Sequence, residues 1–134
     1  MKKILLFLLA VMLAVPGMAS AADRLPEGFI AMSESFMNWT DAVAWCEQQG
    51  GRLPRVNGSE RFSSLSVPRG TLIDGFGAVG APWPTGLPNF YYWTGTVHAD
   101  RPNLSWYVCN FAANGKADTF PDCQSTRNWV VCVP

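Results

Sequence analysis

NWTDAVAWCEQQGGRLPR, Asn38 to Arg55, carries the start, the buried face and the stop of one helix. Asn38 suits the N-cap, and Asp41 falls at the third helical position, where a carboxylate meets the positive end of the helix dipole. Trp39, Ala42, Val43 and Cys46 follow the i, i+3, i+4, i+7 spacing of a single buried face, so the cysteine is aimed into a core. Gly50-Gly51 supplies the left-handed stop. Leu53 then returns an apolar side chain inward, and Pro54 blocks further helix while holding the residue before it extended.

Upstream, MKKILLFLLAVMLAVPGMASAA places Lys2 and Lys3 before an apolar run from Ile4 to Val15, followed by Pro16-Gly17 and small residues. The run falls well short of the ~20 apolar residues that span a bilayer. It reads as a secretory signal peptide over residues 1–22, leaving one domain over 23–134 with no cysteine beside the cut for a lipid anchor and no membrane insertion after cleavage. Without the two leader lysines, eight basic residues face ten acidic ones, a formal charge of −2. That balance gives no footprint for nucleic acid. Seven of the eight basic residues are arginines, and all six tryptophans lie beyond the leader; both types concentrate in binding surfaces.

Downstream, the FIAM stretch before the helix and the segments FYYWTGTV, LSWYVCNF and NWVVCV are dense in aromatic and β-branched residues, as strands are. A second, shorter helix is expected from about Ser59, burying Phe62 and Leu65 or Leu65 with Val67. Pro68 to Pro88 is a long glycine- and proline-rich loop that holds Trp83 between two prolines. The order strand, helix, helix, loop, strands makes the expected fold class α+β. Cys46, Cys109, Cys123 and Cys132 accompany an export signal, so two disulfides are expected, in any of three pairings. A zinc site lacks its signature, because there is no CxxC and His98 is the single histidine.

The run NWTDAVAWCEQQGGRLP resembles the first-helix signature of C-type lectin-like domains, and YYWTGT, SWYVC and NWVVCVP follow in the order of that family's later strands. The likeness covers nearly all of residues 23–134 and is closest to compact bacterial members such as the terminal domains of invasin and intimin adhesins. It implies two helices, a small antiparallel sheet, and the pairings Cys46 with Cys132 and Cys109 with Cys123. It also implies a ligand surface on the loops between the central strand and the closing hairpin, where this chain has Trp83, His98, Arg101, Asn103 and Asn114. Trp93, Trp106 and Trp129 lie within strands and are expected in the core.

Sugar-binding members hold calcium through Glu-Pro-Asn or Gln-Pro-Asp and a late Trp-Asn-Asp, oxygen-rich sets that ligate the ion and the sugar together. None of these occurs here; the last strand offers Arg127-Asn128-Trp129 instead. The expected function is a calcium-independent binding or adhesion module, secreted or periplasmic, that meets an extracellular or envelope protein or glycan and needs no cofactor or metal. An accessory subunit of an envelope complex is the alternative. A minimal relative of the formylglycine-generating enzymes is a weaker one, because RVNGSERF replaces their motif and His98 beside Asp100 is the sole base-like pair.

Overall fold

The computed structural model describes residues 25–58 and 62–134, so the signal-peptide expectation over 1–22 and the proposed helix start at 59–61 lie outside the described residues. Strand β1 (Ala31–Met32) leads into helix α1 (Trp39–Gln48), followed by β2 (Leu72–Ile73), β3 (Gly77–Ala78), β4 (Tyr92–Val97), β5 (Leu104–Asn110), β6 (Ala117–Cys123) and β7 (Val131–Cys132). All pairings between these strands are antiparallel: β1 with β7, β2 with β3, and a three-stranded sheet in the order β4-β5-β6.

Helix α1 forms as its sequence dictates. The Asn38 side chain accepts a hydrogen bond from the Asp41 amide at 2.9 Å, and Ala42 and Cys46 are buried on the inner face. The two glycines stop it for different reasons. Gly50 takes the left-handed φ of 84°, whereas Gly51 lies so close to the C-terminal strand that a β-carbon there would run into the Val133 carbonyl and the Ile30 side chain. The segment after them is a junction. Arg52 exchanges backbone hydrogen bonds with Val133 (2.9 and 2.8 Å), and the Pro54 carbonyl accepts from Gly95 of β4 at 2.7 Å. The Arg52 guanidinium reaches Asp74 at 2.7 Å, and the Arg55 amide donates to the same carboxylate at 3.0 Å. Burial works to raise the Asp74 pKa, but these hydrogen bonds and the Arg52 charge together hold it below the usual value.

The three-stranded sheet has a core on each side. Tyr92, Trp106 and Val108 face the larger cluster with Phe29, Ile73 and Phe76; Trp93 faces the smaller one with Cys46, Leu53 and Val130 beneath the helix. Burial on both faces explains why Tyr92, Trp93 and Thr94 of β4 are buried in succession rather than alternately.

Two expectations are corrected. The chain is mostly β, with a single α-helix among the described residues rather than the two of an α+β frame. Residues 62–67 are irregular, with a bend over 64–66: Phe62 packs edge-on against Trp106, Val67 is buried, and Leu65 stays 73% exposed. Ser64 is the physical reason, because its hydroxyl bonds the Ser66 carbonyl at 2.5 Å and offers the backbone an alternative to a helical turn. The second correction concerns the disulfides. Cys46 and Cys132 are joined, with Cα atoms 5.5 Å apart, but Cys109 and Cys123 are free.

The register of β5 against β6 explains the missing bridge. It pairs Leu104 with Cys123 and Cys109 with Asp118. The two cysteines are thus five residue steps apart along the hairpin, about 17 Å, where a bridge needs Cα atoms within ~7 Å. Five is also an odd number of steps, so their side chains leave opposite faces. Cys109 is buried, and burial first, then the neighbouring Asp118 charge, pushes its thiol up to about 12; Cys123 is exposed. Alkylation of the folded protein at pH 8 is therefore expected to label Cys123 alone, with Cys109 reacting once denaturant is added. Equal labelling of the two thiols before unfolding would contradict this register.

Candidate functional site

Strand β5 separates the five residues proposed from the sequence into two groups. His98, Arg101 and Asn103 lie at its beginning and Asn114 just past its end, six steps or about 20 Å further on. Trp83 hooks onto the Asn114 side through its amide, which donates to the Gly115 carbonyl at 2.7 Å. Arg101 and Asn103 are exposed and use their carbonyls, bonded to the Leu104 and Gln124 amides.

Two of the five are structural. His98 is 4% exposed and stacked on Trp106, with ring centroids 5.6 Å apart and planes at 11°. Its Nδ1 accepts from the Asp100 amide at 3.1 Å, so its proton sits on Nε2, which bonds the Ser64 carbonyl at 3.1 Å. What His98 shares with Asp100 is thus a backbone contact. The ring of Trp83 packs against Phe76 and Tyr92 at 5.3 and 6.0 Å, and its Nε1 donates to Leu87 at 2.9 Å. The proline-rich segment is a cover over the core. Trp83→Ala is expected to destabilise the fold by about 2 kcal/mol, somewhat less than a fully buried tryptophan, read as a shifted urea midpoint. An unchanged midpoint would return Trp83 to the surface.

Tyr91 and Phe111, two of the three exposed aromatic residues among those described, belong to one ridge elsewhere. Tyr91 stacks on Tyr107 at 4.8 Å, Tyr107 faces its cross-strand partner Phe120 at 6.2 Å, and Phe120 meets Phe111 at 5.1 Å. Tyr91 and Phe111, at the two ends of this ridge, are 52% and 49% exposed. Burial chiefly, and then Cys109, Tyr91, Asp122 and Asp118, push the Tyr107 hydroxyl up to about 12, so it stays neutral and able to donate.

At the Phe111 end the chain turns in an unusual way. Ala112 and Ala113 both sit at left-handed φ, 52° and 53°, a conformation that costs L-residues roughly 1–2 kcal/mol each. Side-chain amides hold it: Asn110 accepts from the Gly115 amide at 2.8 Å, and Asn114 from the Lys116 amide at 3.0 Å. Strain of this kind persists where surroundings enforce it and clusters at ligand sites.

Beside this turn lies a cavity of about 220 Å³. Its apolar wall includes the buried Val67, Val79 and Ala117. Its polar groups come from Ser66, Arg69, Asn114, Lys116 and Asp118. Asp118 is two residues before Phe120 on the same face of β6, and the Asn114 amide bonds the Phe111 carbonyl at 3.1 Å, so cavity and ridge adjoin the same turn, with the buried Ala117 of the cavity wall facing the other side of β6 from Phe120. Of the five residues proposed from sequence, Asn114 alone lines it. Arg69, Lys116, Phe111 and Phe120 were passed over; the signal available was the Asn-Gly pair, which marks the turn they surround. Among the described residues, no three histidine, cysteine, aspartate or glutamate side chains converge as a metal site would require. No family model, curated protein or solved structure matches the chain.

Proposed function

We propose that the protein is an exported, calcium-independent binding module and that it takes a glycan at the β5–β6 turn. The observation that carries this reading is the half-exposed Phe111 ring beside a small cavity with an apolar wall and convergent polar groups. A sugar presents apolar C–H faces and a rim of hydroxyls, so it needs an aromatic surface together with donors and acceptors in fixed positions. The strained turn supplies the fixity. Export is supported by the leader-like residues 1–22 and by the disulfide, which suits an oxidising compartment. Calcium independence is supported by the missing tripeptides. The exposed ridge from Tyr91 to Phe111 favours, as a second reading, an accessory subunit that docks on another envelope protein.

The test is a glycan array probed with protein expressed at full length and recovered after export. Binding is expected with and without EDTA, reduced at least tenfold by Phe111→Ala, a change at an exposed site that leaves the melting temperature nearly unaltered. Binding that disappears on chelation would defeat calcium independence. A blank array, with an envelope partner captured through Tyr91 and Phe111, would favour the accessory subunit.

A further inference from the structure

We infer that the glycan is acidic: the cavity beside the β5–β6 turn takes the carboxylate of a uronic-acid-type sugar on Arg69 and Lys116. This rests on the glycan reading above and goes further by naming the charge. Arg69 and Lys116 both line the cavity, and neither side chain has an ion-pair or hydrogen-bond partner among the described residues, where the single salt bridge is Arg52–Asp74. The guanidinium of Arg69 rests on Gly80. A β-carbon at Gly80 would stand 3.0 Å from a terminal guanidinium nitrogen, and its φ of 92° disfavours any other residue. Gly80 is itself anchored, its amide donating to Ala117 at 2.8 Å. The bare glycine therefore gives the arginine a seat against the cavity wall, and its fork of donors matches a carboxylate in two parallel hydrogen bonds.

Charge and size narrow the class. Two cations and the Asp118 carboxylate leave one positive charge to be met, which suits a singly charged carboxylate and opposes a dianionic phosphate. Asp118 also accepts from the Thr119 amide at 2.8 Å, which keeps it in place as an acceptor for a hydroxyl. The oxygen of Asn114 is engaged by Lys116, leaving its NH₂ free to donate. A volume of about 220 Å³ is below the ~300–1,000 Å³ of sites that enclose drug-sized ligands. It has room for one sugar residue.

The experiment is calorimetric titration of the exported protein with trigalacturonic acid and with its methyl ester, which keeps rings and hydroxyls but loses the charge. The acid is expected to bind about tenfold more tightly, the effect of one charge-assisted hydrogen-bonded contact, and to weaken as salt rises. Arg69→Gln and Lys116→Gln should each weaken the acid more than the ester and so close most of that difference, with the melting temperature unchanged; Phe111→Ala should weaken both ligands alike. Equal affinity for acid and ester, or an acid affinity indifferent to Arg69→Gln, overturns the inference and leaves the glycan reading standing. Inorganic phosphate binding more tightly than the acid also overturns it. Failure of both oligomers to bind, with other glycans bound elsewhere on an array, overturns the acidic assignment; failure of every glycan takes the underlying reading with it.

Discussion

Trp93→Ala is expected to cost about 3–5 kcal/mol, a large share of the ~5–15 kcal/mol that holds a domain of this size folded. Trp93 has no exposed surface and packs with Cys46, Leu53 and Val130 beneath helix α1. Its indole Nε1 donates to the Met37 carbonyl at 2.9 Å, and its amide donates to Trp129 at 3.0 Å. The substitution leaves the backbone bond but opens a void between sheet and helix and strips Met37 of a partner. The void dominates, because a net hydrogen bond is worth only about 1 kcal/mol. Urea unfolding should show a lower midpoint at unchanged slope. A loss below about 1 kcal/mol would mean that the helix is not packed on this ring.

The Cys46→Ala/Cys132→Ala double variant is expected to lose about 4–5 kcal/mol on the loop-entropy account, since the bridge closes 86 residues of chain. Both positions change together so that no free thiol remains in the core. The bond ties helix α1 to β7, whose partner β1 is the first described strand, so one covalent link fastens the helix to the strand pair formed by the first and last described strands. Reducing agent should lower the melting temperature of the parent protein and leave the double variant unaffected. A parent protein indifferent to reduction would overturn the pairing. Trp93 and Cys46 share a cluster, so combining the two changes should give a loss that differs from their sum.

Trp83, His98 and Phe111 stand differently in the structure than their sequence neighbours suggest, for one reason. Trp83 between prolines looks exposed when only its neighbours in sequence are considered, but its ring is packed on Phe76 and Tyr92. His98 looks like loop decoration until Trp106 and Ser64 close over it. Phe111 looks like the end of a core strand, yet two left-handed alanines turn the chain immediately after it and its ring stays half exposed. In each case burial is decided by residues distant in sequence, or by a backbone conformation that the residue type does not announce.

Helix α1, its Asn38 cap, its glycine stop and its buried Cys46 are legible in local spacing, together with the strand character of the three aromatic segments. These depend on spacing within a dozen residues, where periodicity and capping chemistry act directly. Long-range packing is what sets Cys109 and Cys123 on opposite faces, turns the chain at Ser64 where a second helix was expected, and brings Arg69 and Lys116 to the lining of one cavity. The physical reason is register: one step in the pairing of β5 with β6 exchanges every side chain between faces, and that step is fixed by packing against the rest of the molecule rather than by local propensity.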